Sequence, residues 1–426
     1  MSNTFDHCVL LQNITLDNFD TSKVTDISYL FNGCSSLYNV NLSSFNTEKV
    51  KNMSYTFAGT SIRFLDLTKF NTNEVEDMSG MFCGCNLLNN LNISSFNTKK
   101  VKNMDFMFNG CSFLKNLELN NFDTSNTISM ERMFYGCSSL TSIDLKNFYT
   151  PKLENMEGMF QECYSLIQLD ISLFETSKVL TMKNMFSRCR KLKSINLTNF
   201  RTSNVKDMSS MFEGCESLSH IIIDNFDISK VTDISCMFAN CKSLISINSA
   251  KIKTSNYLRE MKELFYNCEK LNFIDLSSFD TSNVGDFSSV FEGCLSLTSI
   301  NLENTKTSNA YSMKKMFKNC RQLNSLDLNS FDTKNVYDMS EMFYNCHFES
   351  LDISSFNTQK LEVMKSIFYG CSNLTSINLE NFITNNVTDM SHIFDGCISL
   401  KSLNFTFDTS EVINMESMFH GCISIT

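Results

Sequence analysis

Tryptophan is absent from the 426 residues, proline occurs once and histidine five times. The missing tryptophan and the single proline fit a low-complexity vocabulary rather than a mixed globular one. Basic charge is also short: 36 Lys and Arg face 46 Asp and Glu, for a net charge of −10. A generic nucleic-acid binder needs a basic stripe to displace counterions, so that class is excluded. No apolar run is long enough to cross a membrane as a helix, so no membrane insertion is expected. The opening MSNTFDHCVLLQNITLDNF has neither a basic leader nor a long apolar stretch, so no export signal is visible. No phosphate-binding glycine loop occurs. The cysteines lack the paired C-x₂-C spacing of a zinc site. What the chain does have is 42% hydrophobic residues, enough to bury a core and exclude general disorder.

That hydrophobic content is periodic. The string F-x-x-C recurs from Phe5/Cys8 to Phe419/Cys422, and the copy Phe57/Thr60 has lost its cysteine. These make 17 marks, nearly all 26 residues apart. A period this strict over residues 1–426 predicts a single solenoid rather than several globular domains. With parallel strands about 4.8 Å apart, some 16 turns would extend on the order of 80 Å. Neither end shows a polar capping segment, so both ends are expected to be uncapped.

The unit that begins at Cys137 displays the design. Leu140, Ile143 and Leu145 give L-x-x-I-x-L, the strand signature of a leucine-rich repeat, with Asp144 turned outward. Phe148 follows, in a column kept in 14 of 16 turns, with Ile252 and Thr305 as exceptions. Thr150 comes two residues later, in a column broken only at Ile228. A helix-capping residue type then precedes apolar positions spaced i, i+3, i+4 and i+7, as in Met208, Met211, Phe212 and Cys215. Gly or Asn stands before the cysteine, the residue for a left-handed helix end. The fold expected is therefore an α/β repeat. One face is a single parallel sheet, and the other carries short α or 3₁₀ helices of about one and a half turns. Apart from Met1, every methionine falls in two inward columns, so the methionines are explained as core.

Units such as MSSMFEGCESLSHIIIDNFDISKVTDIS, from Met208, and MSEMFYNCHFESLDISSFNTQKLEVM, from Met339, resemble the BspA-like leucine-rich-repeat surface proteins. The resemblance covers residues 5–426. It implies an adhesin-type protein at the cell surface or outside the cell, binding host matrix proteins, cells or other microbes. It carries no catalytic residue and no cofactor. The absent leader leaves a cytoplasmic location open.

Sixteen of the 18 cysteines lie in one column; Cys83 and Cys236 do not. Neighbours in a column have parallel side-chain vectors, a poor geometry for disulfides, so buried free thiols are expected. His7, His220, His347, His392 and His420 fall in different columns and gather no nucleophile, so neither catalytic nor metal sites are expected. The outward strand column stacks Glu118, Asp144 and Asp170 about 5 Å apart, and Asp327 beside Asp352. Like charges so close destabilise the sheet, and a basic partner or Ca²⁺ would relieve them. Phe64 and Phe273 point outward on the same face and can anchor a partner. These seven residues are the candidate ligand-binding set. The chain thus reads as a non-enzymatic recognition scaffold that binds a protein or glycan through its sheet face. Two alternatives are end-to-end self-association through uncapped ends and an intracellular interaction module.

Denatured but unreduced protein is expected to titrate close to all 18 cysteines, while native protein reacts slowly. Finding most of them oxidised would overturn the buried-thiol reading.

Overall fold

The computed structural model describes residues 1–17, 19–248 and 252–426. The chain forms a parallel β-solenoid in two compact units: Met1–Val205 with Gly214–Glu216, and Lys206–Glu213 with Ser217–Thr426. In the first unit, β1 (Asn13–Thr15) pairs with β2 (Asn39–Asn41), and β3 (Phe64–Asp66) with β4 (Asn90–Asn92). In the second, β5 (His220–Ile222) pairs with β6 (Ser246–Asn248) and β7 (Phe273–Asp275) with β8 (Ser299–Asn301). There β9 (Ser376–Leu379) also pairs with β10 (Ser402–Phe405). Every pair is parallel, and equivalent residues of successive turns lie side by side, as Ile14 beside Val40.

The expected helices are not there: among the described residues there is no helix. The stretch with helical spacing is instead a flat inter-turn ladder. Ile27, Tyr29, Phe31 and Gly33 each donate their N–H to the next turn, to the carbonyls of Asn52, Ser54, Thr56 and Ala58, at 2.8–3.0 Å. The residues between them close local turns, Leu30 to Ile27 at 3.2 Å and Cys34 to Phe31 at 3.1 Å. The device that prevents helix is a left-handed residue at two places, here Tyr29 (φ 55°) and Gly33 (φ 69°). A left-handed residue reverses the peptide's orientation, so no i→i+4 bond can follow. The same pair recurs four residues apart in every copy, from Asn3 and His7 to Ser417 and Gly421. The glycine or asparagine before the cysteine is thus left-handed as expected, and Glu162 and Arg188 adopt the same conformation where it is missing. The other left-handed column carries no residue signature, since Ser210, Lys315 and Glu341 all occupy it.

Asparagine and aspartate hold the corners. Within one turn, Asp66 Oδ1 accepts from Thr68 N at 2.9 Å, Asn71 Oδ1 from Asn73 N at 3.0 Å, and Asp77 Oδ1 from Ser79 N at 2.8 Å. The column expected to cap helices therefore makes Asx turns instead, with the same side-chain chemistry. Its backbones form parallel bridges from turn to turn, such as Asp77 with Asn103. The threonine column links turns reciprocally. Thr98 Oγ1 donates to Asp123 O at 2.9 Å and accepts from Asp123 N at 2.8 Å. Where Ile228 replaces threonine, backbone takes over: Ile228 N donates to Lys253 O at 2.7 Å, and Lys253 N to Phe226 O at 3.1 Å.

The core is a set of ladders. Rings of the F-x-x-C column stack on their neighbours, as Phe108 on Phe134 at 5.7 Å between centroids. Cysteines of the column are free, and their Sγ–H donates to a phenylalanine carbonyl of the preceding turn, as Cys111 to Phe82 O at 3.2 Å. Burial pushes the thiols of Cys137 and Cys189 up to about 12, so they stay protonated and unreactive. Cys8, a member of the column, is exposed, so the buried-thiol expectation fails there; Cys83 and Cys236, outside the column, are half-buried.

The single sheet is also corrected. Pairing comes in twos, and segments 116–118, 142–144, 168–170, 194–196 and 325–327 join no strand. Three-residue strands offer few bonds per step, whereas the turn ladder offers four, so the ladder sets the stacking and the strands pair where they can. No strand pair sets acid against acid. Asp66 faces Asn92 and Asp275 faces Asn301, while the runs Glu118–Asp144–Asp170 and Asp327–Asp352 lie where pairing is interrupted. Pairing also lapses where no two acids adjoin, as at Asn196 between Asp170 and Ile222, so like-charge repulsion alone does not set the pattern.

Ser210 donates to Ser235 O at 2.8 Å while holding φ 54°. Ser210→Gly removes the left-handed penalty and keeps the bond, so a gain of about 0.5–1 kcal/mol is expected in urea unfolding. A loss would contradict the ladder.

Candidate ligand-binding face

The outward strand column is where the corner chemistry and the candidate site coincide. Asp170 Oδ1 accepts from Ser172 N at 3.0 Å, Asp327 Oδ1 from Asn329 N at 3.0 Å and Asp352 Oδ1 from Ser354 N at 3.0 Å. Asp144 Oδ1 accepts from Lys146 N at 3.1 Å, and its other oxygen lies 3.6 Å from Lys146 Nζ. Four of the five candidate acids are thus turn caps with one oxygen engaged. Glu118, one methylene longer, makes no such bond and is exposed.

The hydroxyl and N–H of Ser172 hold the Asp170 carboxyl below its ordinary value. The N–H and hydroxyl of Thr68 do so for Asp66, and those of Ser354 for Asp352. These bonds favour the charged form.

The surface between turns opens into separate hollows. The largest, about 760 Å³, lies between β4 and residues 116–121; it is lined by Glu118 and by Asn89, Asn90, Asn92, Asn116, Asn120 and Asn121. A second, about 460 Å³, brings Asp144, Lys146 and Asp170 together with Ser142 and Gln168. Phe64, 70% exposed, borders a third with Asn41, Asp66 and Lys69. Phe273 is 48% exposed in the second unit, on β7. The asparagine row is the feature that sequence reading passed over. Its signal was the doublets Asn89–Asn90 and Asn120–Asn121, which read as filler in so asparagine-rich a chain.

Elsewhere there is little chemistry. A core void of about 10 Å³ sits where Ile252 replaces phenylalanine, too small for a ligand. His392 Nδ1 and His420 Nδ1 both meet Asp395, at 2.9 and 2.8 Å, a grouping the repeat register did not reveal. Among the described residues, no group of three or more His, Cys, Asp or Glu is placed to hold a metal ion. No described helix is long and apolar enough to cross a membrane.

The fold and its turn-by-turn register define a leucine-rich-repeat type of solenoid. The chain belongs to the family described as "Mycoplasma protein of unknown function, DUF285", whose model matches residues 1–110, 59–169, 85–196, 164–272, 259–377 and 363–426. This bears out the repeat family read from the MSSMFEGC-type units. No curated protein matches the chain. Among solved structures, it is similar to a leucine-rich repeat protein from Bacteroides ovatus: 14% identity, 99% of this chain and 79% of that one, TM-score 0.30. A leucine-rich cell surface protein from Faecalibacterium prausnitzii gives 15%, 95% and 83%, with a TM-score of 0.30. The pneumococcal vaccine antigen PcpA gives 15%, 95% and 79%, with a TM-score of 0.35.

A carboxyl whose folded pKa is depressed adds stability above the ordinary carboxylate range, and that stability is lost as pH falls through the folded value. Asparagine keeps the acceptor without titrating. The variant Asp66→Asn, Asp170→Asn, Asp352→Asn is therefore expected to lose less stability between about pH 5 and pH 2, followed as the urea midpoint. An unchanged acid slope would show that these caps do not contribute.

Proposed function

We propose that the protein is a non-enzymatic recognition scaffold of adhesin type, displayed at a cell surface, which binds a protein or glycan ligand through its sheet face. The observation that carries this is the division of variability. Inward columns repeat almost unchanged and are mostly buried, with exceptions such as Cys8, Met415 and Phe419, while Phe64, Glu118, His220, Ile222 and Phe273 break the pattern and are exposed on the strands or strand-equivalent segments. Packing alone would not require different residues at those places. Exposed aromatic and aliphatic side chains supply anchors, and the polar hollows beside them supply orientation.

Beads carrying the protein, presented to surfaces coated with matrix glycoproteins, test this. Phe64→Ser with Phe273→Ser is expected to lower retention about tenfold, as anchor residues do. Glu118→Asn, Asp144→Asn and Asp170→Asn together should reduce the salt dependence of any basic ligand. Retention that ignores these changes but falls when turn-ladder surface residues such as Lys315 are altered would place recognition elsewhere.

A further inference from the structure

The hollow of about 760 Å³ on the sheet face differs from the other two in its lining. β4 pairs with β3 on one edge, and its other edge faces residues 116–118, which join no strand. The resulting crevice of about 760 Å³ falls within the roughly 300–1,000 Å³ typical of small-ligand sites. Its walls carry side-chain amides rather than charges. The amides of Asn89, Asn90, Asn116 and Asn120 make no side-chain hydrogen bond within the described protein. Asn92 uses its Oδ1 for Ser94 at 2.9 Å and leaves its NH₂ free; Asn121 gives its NH₂ to the carbonyls of Ile93 and Phe96 and leaves its oxygen free. Glu118 is the one charged lining residue. Each free amide offers two donors and an acceptor.

We infer that this crevice binds a neutral glycan chain displayed on a partner surface. Sugar hydroxyls are both donors and acceptors, and two rows of amides match a chain of them without requiring ligand charge. An aromatic platform stands at the rim: Phe64 is the direct cross-strand neighbour of Asn90, and both side chains are exposed. Aromatic rings of this kind receive the C–H face of a pyranose. The alternatives fit less well. A peptide strand added in the plane of β4 would bond to backbone and leave Asn90 and Asn92 unused. A basic ligand would meet a single carboxylate, and an anion would meet that carboxylate without a compensating cation in the lining.

This rests on the sheet-face reading above, and its test separates the two. The full chain is passed over immobilised trimers of N-acetylglucosamine, mannose and galactose. At least one is expected to retain it saturably and without loss at ~1 M sodium chloride, since no ion pair is involved. Asn90→Ala, Asn116→Ala and Asn120→Ala together should weaken retention about tenfold or more, each lost hydrogen bond being worth roughly 0.5–1.5 kcal/mol. Phe64→Ala should also weaken it, and thermal unfolding of all variants should match the parent. The inference is overturned if no neutral trimer is retained, if retention survives the triple change, or if only charged probes or polypeptides bind. If trimers fail while adhesion still requires Phe64 and Phe273, the glycan inference falls and the scaffold reading stands. If adhesion ignores the sheet face as well, both fall.

Discussion

The structure depends on one backbone constraint: two left-handed residues, four apart, in every copy of the repeat. They turn alternate peptide units in a common direction, so that successive turns join through four N–H···O bonds on one side. Left-handed backbone costs an ordinary residue roughly 1–2 kcal/mol. The bonds return roughly 0.5–1.5 kcal/mol each, and burial of the phenylalanine and methionine columns adds to them. The conformation is therefore sustained by stacking and has no reason to persist in an isolated unit. Phenylalanine repeats so strictly because each ring stacks on its own kind in the next turn, and cysteine because its thiol reaches a phenylalanine carbonyl of the preceding one.

The remaining composition follows from the corners. Asx turns at three places per turn use aspartate and asparagine for geometry, which accounts for much of the acidic charge and for the outward strand column. A sheet-face acid is thus first a turn cap and only then a charge. This reorders the candidates: Asp144, Asp170, Asp327 and Asp352 have structural work as turn caps, and Asn92 and Asn121 are bonded too, whereas Glu118, Asn89, Asn90, Asn116 and Asn120 are not engaged in that way. The strands hold only three or four residues each and pair only in twos. Their gaps create the hollows on which recognition is proposed.

Most of the architecture was legible in the sequence because the repeat aligns equivalent residues. Phe148, Thr150, Leu140, Ile143 and Leu145 are buried as the register requires, although residues 142–144 join no strand. The helix was misread for a physical reason. Met208, Met211, Phe212 and Cys215 have helical spacing, but Ser210 breaks the helix through a positive φ that serine does not advertise. The residue before the cysteine did advertise it, being glycine or asparagine. Strand pairing was illegible because nearly identical turns pair in some places and not in others. The amide crevice was missed because single asparagines carry no signal until a gap in the sheet sets them face to face. His392 and His420 meeting at Asp395 were hidden likewise, since the contact spans two turns.

Native-state hydrogen exchange tests the ladder most directly. The amides of Tyr29, Phe31, Gly33 and their counterparts Ser210 and Phe212 each donate to a neighbouring turn. They are expected to exchange slowest, and those of residues 116–118 fast, because that segment makes no inter-turn ladder. Strand amides more protected than these turn amides, or a protection pattern with helical i→i+4 continuity through Met208–Cys215, would contradict the account.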